Sequence, residues 1–294
     1  MIQLSAEELQ WARQKRANVR AAGGILELVL PLRVGGSGAP LFCAHPVVGL
    51  SWCYLALFRH IGEDHPVYGL QARGLRRPEP LPASMAELVR DYADQIRLTQ
   101  PVGPYHLLGW SLGGNTAFAI AAELERRGQQ VALLTILDAS PTVPESLTGA
   151  DSSAWLLYNF VLAEFGYDPV LTADEPEPVA RTLELIRRKP GLGLQEWPEW
   201  QVSALLRVIR NNVTVTRGWR PERIRCPLLF CSATESPPGL AAKLAAWRQF
   251  AEGPIETIEV DCLHRHMLLP EPASAIGAAV TERLLAPLPA RGVA

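Results

Sequence analysis

From residue 40 onward, short apolar runs alternate with longer amphipathic stretches. Residues 41–44, 67–71, 106–108, 131–137, 227–231 and 255–260 are short and in the main apolar, and each fits a buried parallel strand. Between them, residues 85–100 and 112–127 repeat their apolar positions at helical spacing. Gly128 stands where a helix-ending glycine belongs. Strands alternating with helices predict an α/β fold, a mostly parallel sheet flanked by helices on both faces. Ahead of this, residues 5–20 predict a helix with Ser5 as its cap and Glu8 three positions on, and residues 25–32 predict a first strand. Residues 35–38, Gly-Gly-Ser-Gly, read as a linker. The expected organisation is therefore an N-terminal helix, first strand and linker-like segment over 1–38, then one α/β domain over 39–294.

One segment breaks the alternation. Residues 141–225 contain no clear strand, and instead offer helical stretches at 153–165, 178–188 and 200–216 between proline-rich turns. Trp155, Trp197, Trp200 and Trp219, half of the eight tryptophans, fall here. Long insertions of this kind are usually functional, and this one is expected to be a helical lid over one edge of the sheet.

Composition narrows the function classes. With 48% hydrophobic residues the chain has material for a sizeable core, and a formal charge of −2 gives no bulk attraction to nucleic acid. No run approaches the roughly 18 apolar residues of a membrane helix, and the N-terminus lacks the apolar stretch of a secretory signal. The expected location is the cytoplasm. Cys43, Cys53, Cys226, Cys231 and Cys262 are odd in number and form no CxxC pair, which argues against a disulfide framework or a zinc site.

The candidate chemistry lies at Gly109-Trp110-Ser111-Leu112-Gly113, between an apolar strand and an alanine-rich helix. A G-x-S-x-G pentapeptide alone is weak, but strand, turn and helix here follow in the order of the nucleophile elbow of the α/β-hydrolase fold. Ser111 then lies at a helix N-terminus, which favours developing negative charge. A serine hydroxyl needs a base, and the base an orienting carboxylate, in the chain order Ser, Asp or Glu, His. Asp138 ends the strand after the nucleophile helix and is preferred as the acid, with Glu235 its rival. The strand 255–260 delivers His264 and His266 to the same sheet edge, and spacing alone does not separate them. His45, at the start of the loop after strand 41–44, places the backbone N–H of Val47 as one oxyanion donor. The N–H of Leu112 supplies the other.

These segments resemble the thioesterase domains that terminate non-ribosomal peptide synthetases. The likeness is carried by Pro40-Leu41-Phe42-Cys43-Ala44-His45-Pro46, by residues 103–114 around Ser111, by Leu137-Asp138, and by His264 with Met267-Leu268. Trp110 and Gly114 are similar to the peptide-synthetase branch rather than the polyketide branch. The resemblance implies Asp138 as the acid and His264 as the base. It implies release of a peptidyl or acyl chain through an acyl-serine, by macrocyclisation or hydrolysis, from the phosphopantetheine arm of a carrier protein. It further implies no metal and no cofactor bound by the chain itself, and a monomeric domain. A stand-alone editing thioesterase, a plain carboxylesterase and a non-catalytic hydrolase-fold binding protein are the alternatives.

Overall fold

The computed structural model of the protein describes residues 26–141, 158–159, 162, 167, 170–172, 174, 176–188 and 197–286. The expected helix at 5–20 and most of the expected helix at 153–165, Trp155 included, lie outside these residues. In chain order the elements are β1 (Val29–Arg33), β2 (Leu41–Ala44), a one-turn α1 (Tyr54–Leu57), β3 (Val67–Leu70) and α2 (Met85–Thr99), then β4 (Tyr105–Trp110), α3 (Leu112–Arg126) and β5 (Val131–Leu137). The insertion contributes α4 (Pro178–Arg188) and α5 (Glu199–Arg217). Then come β6 (Leu228–Ala233), α6 (Leu240–Trp247), β7 (Ile255–Val260), a 3-10 turn at His264–His266 like the one at Phe58–His60, and α7 (Pro270–Leu285).

The seven strands form one sheet in the order β1-β3-β2-β4-β5-β6-β7. All neighbours run parallel except β1, which pairs antiparallel with β3. Side chains alternate across it with period two. Phe42, Leu107, Leu134 and Ile136 join one apolar layer with α2, α3 and Trp247 of α6. Leu41, Cys43, Leu108, Trp110 and Leu137 join the opposite layer with α1 and α7. Both faces are thus covered, which is why the central strands are apolar throughout rather than alternating.

Helix α3 is buried continuously from Leu112 to Leu124. Its small side chains let it press against the sheet from within the layer, and a helix apolar all round is a core helix. It ends in a Schellman motif. Gly128 N–H donates to Glu125 O, Gln129 N–H donates to Leu124 O, and Gly128 takes φ +73°. Helices α6 and α7 lie where the sequence pattern predicts none. The first is a short alanine-rich stretch, and the second opens on Pro270 and Pro272, which read as breakers but are tolerated in a first turn.

A third apolar cluster joins the insertion to the body. Leu205, Val208 and Ile209 of α5, with Tyr158, Leu162, Ile186 and Trp197, pack on Val47, Val48, Leu50, Leu75 and Leu112. Trp197 meets Trp52 edge to face, with ring centroids 5.8 Å apart.

Candidate active site

The C-terminal ends of β4 and β5 converge on two strained residues. Ser111 has φ +57° and Asp138 φ +50°, and among the described residues they are the two non-glycine positions with positive φ. Such conformations cost about 1–3 kcal/mol each and gather at functional sites. At Ser111 the turn from strand to helix is held by its own N–H donating to Leu137 O at 3.0 Å and its carbonyl accepting from Gly114 N–H at 2.8 Å. The flanking glycines answer to close backbone approach. A Cβ on Gly109 would overlap the Gly113 carbonyl, and one on Gly113 would overlap the carbonyls of Ala44 and His45. Below the turn, the buried Tyr54 hydroxyl donates to Ala44 O and accepts from Trp110 N–H, at 2.6 and 2.8 Å, joining the ends of β2 and β4.

Asp138 is buried, and Cys231 O accepts from its N–H. One carboxylate oxygen, Oδ2, accepts from His264 Nδ1 at 2.8 Å. The other, Oδ1, accepts from Ala233 N–H at 3.1 Å and from the buried Lys243 ammonium at 2.6 Å. Burial alone would raise the Asp138 pKa, but the hydrogen bonds and charges of His264 and Lys243 outweigh it and hold the carboxyl below its usual range. With Nδ1 donating, the other ring nitrogen of His264 keeps its lone pair. The ring lies against Trp110, centroids 5.5 Å apart, and Trp110 Nε1 donates to His264 O at 3.2 Å. The residue that His264 lies against is thus the one before Ser111. His264 N–H donates to Ser236 Oγ at 2.7 Å.

The rival residues stand elsewhere. Glu235 is exposed, and His266 accepts from Arg265 Nε at 3.3 Å rather than meeting Asp138.

The loop after β2 is fixed from two sides. His45 is buried, with Nδ1 2.7 Å from Pro46 O and Nε2 2.7 Å from the Tyr92 hydroxyl. From the insertion, buried Asn212 of α5 donates its amide to Val47 O at 2.9 Å. Leu112 N–H opens α3, where helix geometry leaves amide donors without intrahelical partners. Asn212, Lys243 and the Trp110–His264 stack are absent from the sequence reading. Each joins residues too far apart in the chain to leave a local signature.

Burial pushes His45 down to about 4, and burial with the nearby His65 does the same to His106, whose Nδ1 has no partner among the described residues. The unfolded chain takes up these protons near pH 6.5, so between about 6.5 and 4 it binds more protons than the folded chain. Stability should fall as pH drops through that window, by on the order of 2–3 kcal/mol per histidine, and depressed Asp138 adds loss at lower pH. Urea midpoints measured from pH 7 to 4 are expected to decline, with a shallower slope for His106→Leu. An unchanged slope in that variant removes His106 from the account.

Among the described residues no three His, Cys, Asp or Glu side chains group as a metal site would require, and no helix is long and apolar enough to cross a membrane.

A mostly parallel sheet with a serine on a strained strand-to-helix turn, and an acid–histidine pair at the next strand ends, defines an α/β-hydrolase fold. The chain belongs to the thioesterase domain family, whose profile matches residues 39–279. It is 38% identical over 273 residues to a dimodular nonribosomal peptide synthase of Bacillus subtilis (strain 168), covering 92% of this chain and 11% of that protein. Malpibaldin synthetase of Mortierella alpina is 35% identical over 260 residues, 87% of this chain and 4% of its own length. The chain thus spans a small part of these curated relatives, which are of the peptide-synthetase kind that the residues around Ser111 resemble. Among solved structures, the Vlm2 thioesterase domain superposes with a TM-score of 0.68 at 22% identity, over 88% of this chain and 99% of that one.

Proposed function

We propose that this chain is the releasing thioesterase domain of a non-ribosomal peptide synthetase, acting through an acyl-serine on Ser111. The observation that supports the reading is the Asp138–His264 hydrogen bond, with the His264 ring against Trp110, the residue before the strained Ser111. His264 takes the Ser111 proton as the hydroxyl attacks a thioester carbonyl on the phosphopantetheine arm of a carrier protein. Asp138 holds the imidazole in the required tautomer and stabilises the imidazolium. The N–H groups of Val47 and Leu112 receive the oxyanion, a contribution of about 2.7–4 kcal/mol per donor in comparable sites. The thiol leaves with the proton from His264, and a second nucleophile then takes the acyl group.

That second nucleophile is the acyl chain's own amine or hydroxyl. The apolar cluster of α4 and α5 over Val47 and Leu112 supports this, because an acyl-serine kept from water favours intramolecular capture. The substrate is then a largely apolar peptide or depsipeptide. A carrier protein loaded with the full-length natural chain, incubated with the domain and resolved by mass spectrometry, is expected to yield mainly cyclic product. Linear acid alone rejects cyclisation and leaves release intact, whereas no release from the carrier rejects the thioesterase reading itself.

A further inference from the structure

Lys243 is a buried charged group, among the described residues, that this chemistry leaves without a role. It lies on α6, four residues before Trp247 and so on the same face. Both side chains reach the end of β5, Trp247 Nε1 donating to Ala139 O at 2.8 Å. Only 3% of Lys243 is exposed, and its ammonium contacts Asp138 Oδ1 at 2.6 Å and Ser236 O at 3.1 Å. Ser236 Oγ in turn accepts from His264 N–H. One cation thus holds the far oxygen of the carboxylate and the loop that holds the histidine backbone.

A lysine is rarely buried without a task. Its charge is costly to remove from water, and a hydrophobic residue could fill the same volume. Resting on the reading of Asp138 and His264 as acid and base, we propose that Lys243 is a positioning residue that fixes the Asp138 carboxylate and offsets part of its negative charge as felt by His264. Other titratable groups near the pair are Cys231 of β6 and Cys262 after β7. Burial raises both thiols, Cys262 to about 11, so they stay neutral. Glu235 and Asp261, which act on Cys262, are exposed, and Arg283 bears on Cys231 rather than on the carboxylate. Lys243 therefore sets how strongly the carboxylate stabilises the imidazolium. Without it the carboxylate's charge is felt in full by His264.

The test follows phosphonylation of Ser111 by a fluorophosphonate probe as a function of pH, which needs no knowledge of the natural acyl chain. In Lys243→Met, which keeps the length of the stem and drops the charge, the acid limb should move up by about one pH unit, with little change in probe affinity. The plateau rate should fall about tenfold as the carboxylate loosens. Lys243→Arg should keep the limb in place. A folded Lys243→Met protein whose profile superimposes on that of the parent overturns the proposal. Should that variant not fold, the double variant Lys243→Met with Asp138→Asn leaves no unpaired buried charge. It should match Asp138→Asn alone within about threefold, because Lys243 acts through Asp138. A further tenfold fall overturns it. Full activity in Asp138→Asn would instead strike the underlying reading of the acid, a separate outcome.

Discussion

Replacing Ser111 by alanine is expected to lower turnover by about 10⁶ and to abolish both the acyl adduct and fluorophosphonate labelling. The chain should still fold, because alanine tolerates the positive φ no worse than serine, and the turn is held by backbone bonds to Leu137 and Gly114 rather than by the hydroxyl. A sharper form of the same experiment uses glycine. Ser111→Gly should be equally inactive yet more stable by about 1 kcal/mol, since glycine adopts that conformation without strain. Intact-mass measurement after incubation with a thioester, alongside thermal unfolding of each variant, checks both halves. A covalent adduct on the alanine variant removes Ser111 as the nucleophile.

The second large effect is at the pair that would activate it. Asp138→Asn should cost about 10⁴ in turnover, because the amide favours the wrong imidazole tautomer while occupying nearly the same volume. His264→Ala should be similarly inactive. Glu235→Gln and His266→Ala should each remain within a few-fold of the parent, since neither side chain meets the Asp138–His264 pair. Steady-state rates on one thioester across the four variants decide the matter. Greater damage at Glu235 than at Asp138, or at His266 than at His264, reassigns the acid or the base.

Much of this architecture was legible from local pattern. Strands 41–44 and 131–137 end where their apolar runs end, because a strand buried on both faces cannot continue into polar sequence. The turn at Ser111 was legible because close backbone approach demands glycine at 109 and 113, and that demand is written in the sequence. The antiparallel pairing of β1 was not, since orientation depends on the partner strand. Helix α6 was missed for a different reason. Leu240-Ala-Ala-Lys-Leu-Ala-Ala-Trp247 is only eight residues long, and a lysine among alanines reads as a solvated face. The carboxylate that meets the buried ammonium belongs to Asp138, 105 positions earlier in the chain. The contact of Asn212 with Val47 spans 165 positions and is equally invisible to any window along the chain.

That last contact bears on efforts to redirect such domains by transplanting their variable segments. The Val47 carbonyl, one peptide from a proposed oxyanion donor, is held by an amide that belongs to α5 and not by the sheet beneath it. A segment exchanged to admit a different acyl chain would arrive with its own residue at position 212. If that residue cannot donate, a buried carbonyl is left without a partner, at a cost of about 1–3 kcal/mol, and the loop beside the reacting centre is released. A chimera could then bind its new chain well and still turn it over poorly. The boundary of an exchangeable cassette in this fold is drawn more safely inside α5, ahead of Asn212, than at the helix's C-terminal end.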